Sequence, residues 1–394
     1  MSGAGGRAYR LSEHLRKYLL AYVVLVIILA IPIGYEAGGF IKAHKPLMKD
    51  AIITLAILTL LPSMIQLRAE RFGPELSAKK LETIVALVII FAVGPFTAMA
   101  MAGRLPSKPV AIGFVAANSV PASSASIAYV LLAEGNIEFA TLLAIISILG
   151  ALGTVPAYVG FYARSVHVSV PLGLLGESVG LALVTPFVVG QVTRYYLVKR
   201  RARSILRNHE VDLPCKRVEV HASRLEEAIA HLEDALECIE GRISRRIKPY
   251  LSLWTMLAML VLVGTLIAAK ASLLVAKPEL AGEIIGFQVI VYAVIIAALA
   301  AATLAMRLSY EDHSAMAFIA LTKNESVAAA VSVMAIGTAA AIPAALVPAI
   351  QPVMAILYLW ALPGLARALR MRRAQPQPEA RAPEASKAQP VAAR

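Results

Sequence analysis

Within an apolar run from Ala315 to Pro348 the sequence places Thr322-Lys323-Asn324-Glu325-Ser326, an ammonium, an amide, a carboxyl and two hydroxyls in succession. Ionisable groups at membrane depth are costly and mark substrate pathways, proton relays or binding sites. A second polar cluster, Asn118-Ser119-Val120-Pro121-Ala122-Ser123-Ser124-Ala125-Ser126, interrupts another apolar run. Its small residues allow two readings. Either they permit close helix packing, or the helix breaks at Pro121 and Asn118, Ser119, Ser123, Ser124 and Ser126 line a polar cavity. Backbone broken at that depth is tolerated only where protein or water surrounds it.

These clusters need a membrane around them, and the composition supplies one. Hydrophobic residues make up 59% of the 394 positions and the mean hydropathy is +0.71, well above a soluble domain. Stretches long enough to span lie near 18–37, 50–67, 82–103, 109–133, 137–162, 172–197, 251–270, 282–306, 314–338 and 340–366. The expected fold is an all-α membrane protein of ten transmembrane helices.

The net charge of +13 does not indicate a nucleic-acid partner, because Lys and Arg concentrate in alternate loops. Arg7, Arg10, Arg16, Lys17, Arg68, Arg71, Lys79, Lys80, the 199–248 insert, Arg367, Arg370, Arg372 and Arg373 share one face. The other face carries fewer: Lys42, Lys45, Lys49, Arg104, Lys108, Arg164, Lys270 and Lys277. By the positive-inside rule both termini are cytoplasmic in a multi-pass plasma-membrane protein. The first apolar run follows a basic N-terminus but lacks a small-residue cleavage pattern, so it reads as a retained helix.

The chain divides into a cytoplasmic N-terminus (1–17), helices one to six (18–198), a cytoplasmic insert (199–248), helices seven to ten (249–370) and a Pro/Ala/Gln-rich tail (371–394) that reads as disordered. In the insert, Leu225, Ile229, Leu232, Leu236, Ile239 and Ile243 alternate by four and three, which makes a heptad seam. It predicts pairing through 223–246 with a second subunit, with the 200–210 segment, or with another protein. Cys215 and Cys238 both lie in this polar region, so no cysteine cluster exists in the membrane. Glu177 reads as interfacial, Gln288 as part of a scaffold helix, and Asp312 as the N-cap of the ninth helix rather than half of a catalytic pair with His313. No nucleophile and base pair, metal-ligand cluster or phosphate loop occurs. The reading is therefore of a non-enzyme without cofactor or metal.

Spans four and nine hold the same ordinal place in two sets of five, and each is interrupted by polar residues. An odd number of spans per half inserts the halves in opposite orientation, and matched broken helices point to a midplane substrate site. The pattern Ser119-Val-Pro121-Ala-Ser-Ser-Ala125-Ser126, Ala133-Glu-Gly135-Asn136, Pro186-x-x-x-Gly190-Gln191, Lys323-Asn324-x-x-Val327-Ala328 and Pro348-Ala-Ile-Gln351-Pro352 resembles the bile acid:sodium symporter superfamily, in particular its arsenical-resistance permease branch. The resemblance covers about 15–370 outside the insert. It implies a five-plus-five inverted repeat, helices four and nine broken and crossing, and a core of spans three to five and eight to ten moving against a panel of the others.

Departures from that pattern matter. Ser126-Ile127 stands where sodium-coupled members have Ser-Asn, Ile319 where they have a glutamate, and Lys323 where they have a glutamine. Arsenite permeases carry a fourth-helix cysteine that this chain lacks, and their ninth-helix glutamate aligns with Ser326, one place beyond Glu325. An ammonium at Lys323 removes an oxygen ligand and repels sodium, on the order of several kcal/mol at short range with an effective dielectric of about 20. The expected function is secondary transport of a small anion, a metalloid or an organic anion, sodium-independent and coupled by proton exchange at Lys323 or Glu325. Asn118, Ser119, Ser123, Ser124, Ser126, Asn324 and Ser326 are the expected substrate contacts. Two alternatives stand beside it: a fixed pairing of Lys323 that only holds the crossing together, and a membrane-embedded sensor or scaffold signalling through the insert.

Overall fold

The computed structural model describes residues 4–66, 79–123, 125–207 and 225–372. In chain order the helices are α1 (Ala4–Lys17), α2 (Leu19–Glu36), α3 (Gly38–Ala43), α4 (Lys45–Gln66), α5 (Lys80–Ala102), α6 (Lys108–Ser119), α7 (Ala125–Leu132), α8 (Ile137–Ser165) and α9 (Leu172–Ser204). There follow α10 (Leu225–Ala269), α11 (Ala271–Ala276), α12 (Pro278–Met306), α13 (Tyr310–Leu321), α14 (Glu325–Ala335) and α15 (Ile342–Ala368). Among the described residues there are no strands, only two isolated backbone bridges.

Among the described residues, seven helices are long and apolar enough to cross a membrane: α4, α5, α8, α9, the Arg246–Ala269 part of α10, α12, and Thr338–Ala368. The stretches read as spans one, four and nine are shorter pieces. Ala21–Glu36 is a short apolar helix, 109–133 divides into α6 and α7, and 314–338 divides into α13 and α14. The divisions follow from local chemistry. Val120 is extended (φ −69°, ψ 160°), as a residue before proline must tend to be. Thr322 is extended too (φ −110°, ψ 109°), and its hydroxyl donates to the Phe318 carbonyl at 2.6 Å.

The half-helices occupy the centre. Val110–Ser119 of α6, Asp312–Leu321 of α13 and Glu325–Val333 of α14 are buried on every side, the pattern of helices enclosed by others. Around them, α14 lies against α4 and the start of α9, while α6 contacts α5, α8 and the turn before α15. That last contact is backbone to backbone. A Cβ at Gly113 would lie 1.7 Å from the Ala340 carbonyl oxygen, and the turn Thr338–Ala341 follows Gly337 at φ +123°, a left-handed value suited to glycine.

One helix end differs from expectation. Ser309, not Asp312, caps α13: its hydroxyl accepts from the Asp312 N–H at 3.1 Å. The Asp312 carboxylate instead takes Lys79 Nζ and Asn136 Nδ2 at 2.9 Å. A serine hydroxyl reaches back over the first turn, which leaves the carboxylate free to join three chain segments at one end of the molecule. His313 turns away from Asp312, with Nδ1 at 2.6 Å from Thr303 Oγ1 and Nε2 at 2.6 Å from Tyr358 OH. The Thr303 hydroxyl also donates to the Leu299 carbonyl at 2.8 Å, an arrangement that suits a ring donating from Nδ1. The imidazole thereby ties α12, α13 and α15 together.

At the opposite end, half-burial and then the ammonium of Lys45 hold Lys270 below the ordinary lysine range. The 225–248 segment continues into the membrane-length stretch Arg246–Ala269 as one helix, α10. Residues 208–224, with Cys215, and the tail after Arg372 lie outside the described residues, as do the side chains of Leu225, Ile229, Leu232, Leu236 and Cys238. Within the seam, Ile239 is buried, and α10 packs against α1 and the end of α9. Arg194 of α9 and Glu240 form a buried ion pair at 3.6 Å.

Candidate functional site

The two chain breaks meet. Ala122 and Lys323 form an antiparallel bridge, with Ser123 N–H donating to the Thr322 carbonyl at 2.9 Å and Asn324 N–H to the Pro121 carbonyl at 2.9 Å. Each break supplies the partners the other lost on leaving the helix. That answers the demand that backbone at membrane depth be satisfied within the protein. Side chains complete the crossing. Ser147 of α8 accepts from Ala122 N–H at 3.2 Å, Gln351 Oε1 of α15 accepts from Lys323 N–H at 2.8 Å, and the Ser126 and Thr322 hydroxyls bond directly.

Four half-helix ends converge here, with α6 and α13 ending and α7 and α14 beginning. Lys323 lies two residues past the C-terminus of α13 and Glu325 is the first residue of α14. Each charge therefore sits beside the end of the helix dipole that favours it. The Lys323 side chain is buried and donates from Nζ to the Ile90 carbonyl of α5 at 3.4 Å. Glu325 is buried as well, and neither carboxylate oxygen has a hydrogen-bond partner among the described residues. The two charges thus do not form a direct hydrogen-bonded pair. The Tyr292 hydroxyl of α12 is also buried, beside Gln288 and Glu325.

The other expected contacts fall as follows. Asn118 Nδ2 donates to the Phe114 carbonyl, and Asn118 exchanges reciprocal 3.0 Å bonds with Gln288. Ser119 donates to the Val115 carbonyl at 2.7 Å, and Ser123 Oγ accepts from Ala125 N–H at 3.3 Å. Asn324 and Ser326 are buried at the start of α14, whereas Ser124 lies outside the described residues. The bridge joins Ser123, Ser126, Lys323 and Asn324 directly, with Asn118 and Ser119 on the preceding turn of α6.

Gln288, Gln351, Ser147 and Tyr292 are residues that sequence reasoning left out of the site. For the two glutamines a signal was present, since each is an uncharged amide isolated in a long apolar helix, where a polar group needs a partner. Gln351→Ala is expected to leave the Lys323 N–H unsatisfied and cost about 1–3 kcal/mol. Thermal unfolding would read this as a lowered Tm, with a smaller drop for Gln351→Glu, which keeps an acceptor oxygen. Among the described residues no group of three or more His, Cys, Asp or Glu side chains is placed to hold a metal ion.

A buried crossing of broken helices, carrying charge inside a set of membrane-length helices, suits a path for a polar solute. The model of the sodium bile acid symporter family matches residues 53–277, more than half of the chain. The matched stretch contains the first break and ends before Lys323. No curated protein matches the sequence. The chain therefore belongs to the sodium bile acid symporter family, and it is a membrane transporter rather than an enzyme.

Proposed function

We propose that this transporter moves a small anion, a metalloid handled as its hydroxide or oxyanion, or an organic anion, without sodium and with proton exchange at Lys323 or Glu325 as the coupling step. The observation that carries the proposal is the Lys323 ammonium, buried at the contact between the two breaks with the Ile90 carbonyl as its acceptor. Sodium requires several oxygen ligands, and a fixed positive charge repels it. The same charge favours an anion. Asn118, Ser119, Ser123, Ser126, Asn324 and Ser326 supply the hydrogen-bonding groups around it.

In this reading the ten segments form a five-plus-five inverted repeat, with α6–α7 as broken span four and α13–α14 as broken span nine. Both termini face the cytoplasm of a plasma-membrane protein. The meeting of Lys79, Asn136 and Asp312 at one end supports that arrangement, because by span order the connections before spans three, five and nine, where these residues lie, fall on the face that carries the N-terminus. In an arsenical-resistance-like transporter without a membrane cysteine, the metalloid is held by hydrogen bonds and not by thiolate.

The test begins with thermal unfolding of the purified protein against arsenite, arsenate, small carboxylic acids and taurocholate. Uptake of the stabilising compound into proteoliposomes is then measured with sodium and proton gradients imposed separately. A proton gradient is expected to stimulate uptake, and stimulation by sodium alone overturns the proposal.

One observation favours a second reading, a sensor or scaffold acting through the insert or joining it to a partner chain: α10 joins the arm to a membrane-length stretch as one continuous helix. Deleting residues 205–246 separates the two. Uptake that survives the deletion supports transport, whereas a chain that never transports but loses a bound protein supports the second reading.

A further inference from the structure

The acceptor that Lys323 uses is created by a proline. Within α5, residues Ile89–Val93 form a π-helical turn, in which each N–H reaches the carbonyl five residues back, and Gly94 N–H accordingly donates to the Ile89 carbonyl. The next bond in this register would run from residue 95 to the Ile90 carbonyl. Residue 95 is proline and has no N–H to give. Ile90 is thus left with an open carbonyl in the buried interior, and the Lys323 ammonium lies 3.4 Å from it. Glu325 is the nearby acidic residue, yet among the described residues its oxygens have no hydrogen-bond partner.

We infer that Pro95 is a positioning residue for Lys323: by withholding one backbone N–H it keeps the Ile90 carbonyl open as the docking point of the ammonium. The inference rests on the reading of Lys323 as the coupling residue. It adds that α5, which contributes no charged side chain to the crossing, sets where that charge sits. An internal comparison exists in α9, where Gly180–Val184 is also π-helical, Thr185 N–H donates to the Gly180 carbonyl, and Pro186 follows. Among the described residues no side-chain hydrogen bond to the corresponding Leu181 carbonyl is seen. Pro186 therefore serves as the control.

The experiment is a double-mutant cycle on the full-length purified chain, read by Tm and needing no substrate. Lys323→Met orphans the Ile90 carbonyl, and Pro95→Ala supplies the N–H that repairs it, so the two changes should be strongly non-additive. Pro95→Ala is expected to raise Tm in the Lys323→Met background by at least about 3 °C more than in the native background. Pro186→Ala should shift both backgrounds equally. If Lys323→Met alone cannot be purified, Lys323→Met/Glu325→Gln, which removes both charges, takes its place. Equal shifts for Pro95→Ala in the two backgrounds overturn the inference. Because no transport is measured, that failure is distinct from failure of the proposed function, which the gradient experiment reads.

Discussion

Lys323→Ala is expected to abolish proton-stimulated uptake and the thermal stabilisation of the protein by its substrate, while also lowering Tm in the absence of substrate. The substitution removes the ammonium that donates to the Ile90 carbonyl. It also removes the charged neighbour of buried Glu325, whose oxygens have no hydrogen-bond partner among the described residues. Leaving the Ile90 carbonyl unsatisfied costs about 1–3 kcal/mol, and the loss of its charged neighbour for buried Glu325 adds to it. The double variant Lys323→Ala/Glu325→Gln divides the two effects. It is expected to recover Tm and to remain inactive in uptake. Recovery of uptake together with Tm would reduce Lys323 to a brace for the crossing.

Gly113→Val is expected to prevent folding, and Gly113→Ala to lower Tm by more than 10 °C if the protein can be purified at all. A Cβ at that position falls 1.7 Å from the Ala340 carbonyl oxygen and 2.6 Å from its carbon. Both are backbone atoms, so no rotamer change relieves the clash. Overpacking of an ordinary core site costs about 1–3 kcal/mol; here a helix and a turn must move apart instead. A Gly113→Ala protein with native Tm would show that α6 and the turn do not meet this closely. Folding is the readout in this case, so uptake need not be measured.

Much of the candidate crossing was legible because charge and hydroxyl groups stand out against an apolar background. Lys323, Glu325 and the serines around Pro121 violate the composition of their spans, and Pro121 marks a break by removing an N–H. Positions of the long helices were equally legible, because membrane thickness sets a minimum apolar length. Where sequence reasoning went astray, side chains of similar chemistry competed. Ser309 and Asp312 are both good caps, and only the folded chain shows that Lys79 and Asn136 claim the carboxylate while the serine hydroxyl takes the cap. Gln288 read as scaffold because nothing in its own span explains an amide. Its partner, Asn118, is 170 positions away.

By itself, then, the sequence determined that this is a helical membrane protein with two polar interruptions, one bearing a lysine and a glutamate. These are properties of composition and local bonding, and every window of the chain carries them. Only the tertiary structure decided that the interruptions pair as a two-residue bridge and that Lys323 docks on a carbonyl opened by Pro95 instead of on Glu325. Those outcomes depend on which distant groups reach a freed N–H or carbonyl first. In a medium without water to satisfy them, backbone groups are settled by the packing of whole helices.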